Sequence, residues 1–140
     1  MQVKVAVPSV WRRTWVLATL AVFGAAAAIA TERNFPFDQE LLLDTAPMRG
    51  TKRIPSIEVL SNGSAIIDLW CASVRGRVHV EGLAISIVPH SATPGSCPPE
   101  RLQQDADMLS LLTQVTTWRR EGDAVVLIGP QVLRYRVSAH

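Results

Sequence analysis

The chain has 140 residues, enough for one domain and no more. Nearly half of them (48%) are apolar, which excludes a disordered chain. Formal net charge is +2, but Lys4, Arg12 and Arg13 lie in an N-terminal stretch with no acid, and taking those three away leaves a body at −1. A body so close to neutral excludes the basic footprint of a nucleic-acid binder.

Those three cations precede an uncharged run from Thr14 to Thr31 that ends in small residues. A positive start, an apolar centre and Ala28-Ile29-Ala30 make a secretory signal over residues 1–30, with cleavage expected after Ala30. The rival reading is an uncleaved anchor over residues 14–30. At about 17 residues that run is marginal against the ~30 Å of hydrocarbon a spanning helix must cross. Either way the body lies beyond the membrane, in the periplasm or exported when the signal is cleaved, or tethered to the inner membrane outside the cytoplasm. No cysteine follows the run, which argues against a lipoprotein, and Arg12-Arg13 fits twin-arginine or ordinary export. Residues 31–36 read as a linker, with the domain proper over 37–140.

Along the body, β-type segments alternate with turn chemistry, the mark of an antiparallel sheet. Gln39–Leu43 is a first strand, followed by a loop through Pro47 and Gly50. Ser56–Leu60 and Ala65–Cys71 flank Ser61-Asn62-Gly63, a hairpin signal because Asn and Gly both tolerate positive φ. Val78–Val80 and Leu83–Ile87 complete a four-stranded meander, and His90–Ser96 reads as a loop.

The one convincing helix of the body runs from about Pro98 to Leu112. Pro98 and Pro99 suit a first turn, and Glu100 meets the positive end of the helix dipole. Leu102, Ala106, Leu109 and Leu112 or Thr113 recur at helical spacing as the apolar stripe. Arg101, Gln104, Asp105 and Asp107 fall off that stripe, and the two aspartates read as a solvated face. A closing meander follows: Val115–Arg120, Ala124–Ile128 and Val132–Val137, separated by Glu121-Gly122-Asp123 and Gly129-Pro130-Gln131. The class is therefore α+β, an antiparallel sheet of two meanders with one helix packed on it and a signal or anchor helix ahead.

A meander, a Cys-Pro entry into a helix and a closing meander together resemble the META domain, the HslJ-like family. Ser96-Cys97-Pro98-Pro99-Glu100 matches the family's helix entry. Val115-Thr116-Thr117-Trp118, Glu121-Gly122-Asp123, Val125-Val126-Leu127 and Leu133-Arg134-Tyr135 match its closing strands. Trp70-Cys71-Ala72 departs from the family's Gly-Cys-Asn, so the roles of that Gly and Asn are not carried over. The resemblance implies a curved, barrel-like sheet and an envelope protein linked to heat or antibiotic stress, without a settled activity.

The sharpest chemical pair is Cys71 and Cys97. An oxidising compartment favours a disulfide, which would stabilise by roughly 3.5 kcal/mol in the chain-entropy model. A redox site and two unpaired thiols are the alternatives; no Cys-x-x-Cys is present. His79, His90 and His140 show no metal-ligand spacing and read as exposed, so no metal and no cofactor is expected. No hydrolase or nucleotide fingerprint occurs, leaving a hydrolase or transferase with a site assembled only in three dimensions as the alternative function. Trp70 and Trp118 read as core or half-core. The basic clusters are Arg49, Lys52 and Arg53 in a loop, Arg134 and Arg136 on one strand face, and Arg75 with Arg77 around Gly76. The expectation is a non-enzymatic binding or stress-tolerance factor that meets an anionic envelope surface or an acidic protein, chiefly through Arg49, Lys52, Arg53, Arg134 and Arg136.

Overall fold

A computed structural model describes residues 34–93 and 95–139. The signal or anchor read over residues 1–30, Pro94 and His140 lie outside the described residues. Among the described residues eight strands follow in order: β1 (Glu40–Leu43), β2 (Ser56–Val59), β3 (Ser64–Asp68), β4 (Ser73–Glu81), β5 (Ala84–Thr93), β6 (Thr117–Glu121), β7 (Ala124–Ile128) and β8 (Val132–Val137). One helix, α1 (Pro99–Thr113), stands between β5 and β6. Each strand pairs antiparallel with the next, and β1 closes the ring against β8. The two meanders are thus one closed barrel. Their seam is thin: β5 meets β6 in register only at Ala84 and Thr117, and α1 also contacts β5.

Alternation sets the inside. Leu41, Ile57, Val59, Ala65, Ile67, Val74, Val78, Ile85, Ile87, Val125, Leu127, Leu133 and Tyr135 turn inward at every second position of their strands and are buried. Each fully buried large apolar side chain contributes about 1.5–3 kcal/mol before entropy is charged against it. Trp118 is 1% exposed; its indole Nε1 donates to Gly82 O at 2.9 Å, and its ring meets Phe35 edge-on at 5.1 Å. Phe35 and Pro36 are buried, so packing begins within the stretch read as a linker. Tyr135 brings its hydroxyl into the barrel without a partner among the described residues, and burial pushes its pKa up.

Three differences from the sequence reading have physical causes. In the β2–β3 turn only Gly63 takes positive φ (83°), while the Asn62 side chain accepts from Ser64 N at 2.8 Å. The Asn-Gly pair acts as a glycine turn with an Asx bond. Second, β4 begins at Ser73 and β5 runs to Thr93, so much of the stretch read as the loop His90–Ser96 is paired strand. Long-range pairing overrides Gly76 and Pro89 through a bulge: Arg75 faces Ser91 but Gly76 faces Pro89, which leaves His90 as the extra residue. A Cβ at residue 76 would lie 2.5 Å from Val88 O, so this close approach requires glycine. Third, the inner face of α1 is Asp105, Met108 and Leu112: the expected stripe holds at Leu112 and, half-buried, at Leu109, whereas Ala106 is exposed and Leu102 is 41% exposed.

Candidate functional site

Asp105 turns inward to a junction where several contacts converge on one connection. β3 ends at Asp68, and Leu69–Ala72 form the connection to β4. Cys71 in that connection and Cys97 just before α1 stand at disulfide distance, their Cα atoms 6.2 Å apart. Asp105, 4% exposed, reaches back from α1 and accepts from two backbone groups, Cys71 N (3.0 Å to Oδ2) and Ala72 N (2.6 Å). From the other side Arg53 Nη1 donates to Cys71 O at 3.2 Å, while its Nη2 donates to Asp68 Oδ1 at 2.7 Å and to Ser73 Oγ at 3.0 Å. The N–H, carbonyl and sulfur of Cys71 are therefore all engaged. Gly95 completes the junction, since a Cβ there would fall 2.8 Å from Cys71 Sγ. The reading of Asp105 as solvated is corrected: a buried carboxylate is tolerated here because backbone donors meet it. Asp107 is exposed and accepts from Gln103 Nε2 at 2.9 Å.

The basic positions separate. Arg53 is fixed in the junction. Arg49 and Lys52 are exposed in the β1–β2 loop, which Arg101 ties to α1 by donating to Gly50 O at 2.9 Å. Arg134 and Arg136 point outward from β8, as period two requires, and Arg119 joins them from β6 across Val126 of β7. Two carboxylates interleave with these three guanidiniums. Glu121 pairs with Arg119 (2.7 Å) and with Arg134; Asp44 pairs with Arg136 (3.1 Å) and, more loosely, with Arg134 (3.6 Å). Hydrogen bonds from Arg119 and Arg134 hold the Glu121 carboxyl below its ordinary pKa. The sequence reading missed Arg119, Asp44 and Glu121 as members of this face. Alternation alone places Arg119 outward opposite Trp118, but its position beside Arg134 depends on strand order.

His79 and His90 are both exposed, on β4 and β5. Trp70 is half-buried between two shallow concavities of about 310 and 300 Å³ that also share Met108. Its Nε1 has no partner among the described residues. A larger one of about 460 Å³ is lined by Phe35, Phe37, Gln39 and Arg120, and another of about 390 Å³ by Leu60, Ile66, Arg75, Arg77 and His90.

The protein thus combines an eight-stranded ring, a helix entered through Cys97-Pro98 and a cysteine pair that joins the two. The META domain family model matches residues 12–139, nearly the whole chain. The chain belongs to the META domain family. Membership supports an HslJ-like protein of the envelope in general terms. No curated protein and no solved structure matches the chain.

Proposed function

We propose that this META domain protein is exported to the cell envelope and works by binding an anionic partner, without turnover, as a stress-tolerance factor. The observation that carries the reading is the outer face of β6–β8, where three guanidiniums meet two carboxylates. Their side chains are 56%, 42% and 59% exposed for Arg119, Arg134 and Arg136, so the surplus positive charge is presented to solvent. A rigid strand surface spends little entropy in meeting a flat anionic partner such as a phospholipid surface or an acidic protein. The basic start and apolar run at the N-terminus support export.

The test is co-sedimentation of the full chain with anionic and with neutral vesicles, and pull-down from envelope extract, at low and high salt. Arg134→Glu, Arg136→Glu should release the protein, and high salt should do the same to the wild type. Arg134→Gln, Arg136→Gln, which removes charge without repulsion, should fall between. Equal binding by all three proteins, indifferent to salt, would overturn the charged-face mechanism.

A further inference from the structure

On a different part of the barrel, the bulge in the β4–β5 pair shapes a second basic site with a floor of another character. The concavity of about 390 Å³ there has Leu60, Ala65 and Ile66 as its apolar lining and Arg75, Arg77 and His90 as its polar one. Its size lies within the range of small-molecule pockets. Register explains the convergence. Ile66 on β3 faces Arg75 on β4, and Ser64 faces Arg77, so both guanidiniums rise beside the Ile66 side chain. Skipping one residue of β5 turns His90 out on the same side, as bulges re-aim side chains. Val88, opposite Arg77, is 40% exposed and extends the apolar surface beyond the rim.

The charge of this site is unanswered. Among the described residues Arg75 makes no ion pair, and the hydrogen bond of Arg77 goes to a backbone carbonyl, Asn62 O at 3.2 Å. The carboxylate that would otherwise serve Arg75 is Asp68, two residues past Ile66 on the same face of β3. Asp68 is taken by Arg53 at 2.7 Å and by the Ser73 hydroxyl. Glu58 stands across Ile66 on β2, the side away from β4, and does not line the concavity. The Arg53–Asp68 pair thus leaves two guanidiniums and an imidazole over an apolar floor.

We propose that this concavity binds an amphipathic anion, its phosphate or carboxylate head held by Arg75, Arg77 and His90 and its apolar body laid on Leu60, Ile66 and Val88. Guanidiniums fork onto such oxyanions with paired, charge-assisted hydrogen bonds. The floor supplies what free phosphate would not use. This site is separate from the β6–β8 face and stands or falls without it.

The probe is octyl phosphate, titrated below its micelle concentration into the isotopically labelled full chain and followed by the shifts of Ile66, Gly76 and His90. Saturable shifts at those three residues are expected, with octyl glucoside and inorganic phosphate each at least ~10-fold weaker, because each lacks half of the recognition. Arg75→Gln, Arg77→Gln should weaken octyl phosphate by about tenfold while keeping the spectrum of a folded barrel. Arg101→Glu, Arg120→Glu, which changes more charge away from the concavity, should bind as the wild type does. Shifts that avoid Ile66, Gly76 and His90 would overturn the proposal, as would equal affinity of octyl glucoside or wild-type affinity in the glutamine variant. Binding to phosphatidylglycerol vesicles with none to the monomer would replace the concavity with adsorption to a lipid surface, and so overturn it too.

Discussion

Two charged regions of this barrel use similar residue types to opposite ends. At the Cys71 junction, Asp105 and Arg53 grip the backbone of one connection, and Asp105 is almost fully buried. On the β6–β8 face, Glu121, Asp44 and three arginines pair with one another in solvent. Burial makes the difference. A carboxylate removed from water must be met by donors and is costly to leave unmet; one at the surface exchanges protein partners for water at little net cost. The junction is therefore expected to govern stability and the exposed face to be free for recognition.

The widest separation between the two regions should come from the aspartates of α1. Asp105→Ala leaves the Cys71 and Ala72 N–H groups without an acceptor inside the fold, and should cost about 4 kcal/mol, at 1–3 kcal/mol for each orphaned donor plus the lost packing. Asp107→Ala, two residues on and exposed, should stay within about 0.5 kcal/mol of the wild type. Chemical denaturation of both variants decides it. Equal midpoints would mean that the junction does not hold the fold.

Next in size is the covalent link at the same junction. Cys97→Ser opens a loop of sequence separation 26 and should lower stability by roughly 3.5 kcal/mol. Added reductant should bring the wild type to the level of the variant and leave the variant unchanged. A wild type indifferent to reductant, or two free thiols found by labelling the denatured, unreduced protein, would show that the pair is not bonded in solution.

The junction also marks how far the sequence could be read. β7 and β8 were legible to the residue, because Ala124–Ile128 is a plain apolar run and Val132–Val137 a plain alternation between turn residues. The helix was legible from its prolines and glutamate, and its inner face was placed at Leu112 but not at Asp105 and Met108. A stripe sought among Leu102, Ala106 and Leu109 has no means of proposing an aspartate as a core residue, since the donors that make Asp105 tolerable sit 34 and 33 positions away. The same holds for β4 and β5. Arg75-Gly76-Arg77 and Pro89-His90 carry turn-like composition, and only their mutual pairing through a bulge makes them strands. Arg134 and Arg136 could be set on one face by counting in twos. Whether acids answer them depends on Asp44, just past β1, and Glu121 of β6 arriving beside them, which is information held in the ring closure. Arg53 was grouped by sequence with Arg49 and Lys52, and the fold takes it away from them to brace Asp68 and Cys71.

The smallest expected effect lies on the exposed face and concerns Glu121. Arg119 and Arg134 lower its pKa in the folded protein below the ordinary 4.5, so the unfolded chain takes up its proton first as the medium is acidified. A carboxylate shifted in this direction adds stability that is fully present above pH 4.5 and is lost as pH falls through the lowered folded value. Glu121→Gln should therefore be slightly less stable than the wild type at neutral pH and should converge with it in acid. Because the carboxyl is open to solvent, salt should shrink the neutral-pH difference as well. Thermal unfolding of both proteins across pH 2–7, at low and high salt, checks the sign: a gap that widens in acid would mean that these arginines do not stabilise the Glu121 carboxylate. Repeating the titration on an Asp105→Asn background would then separate the two regions, since an exposed pair that shares no hydrogen-bond partner with the junction should add its small contribution independently of it.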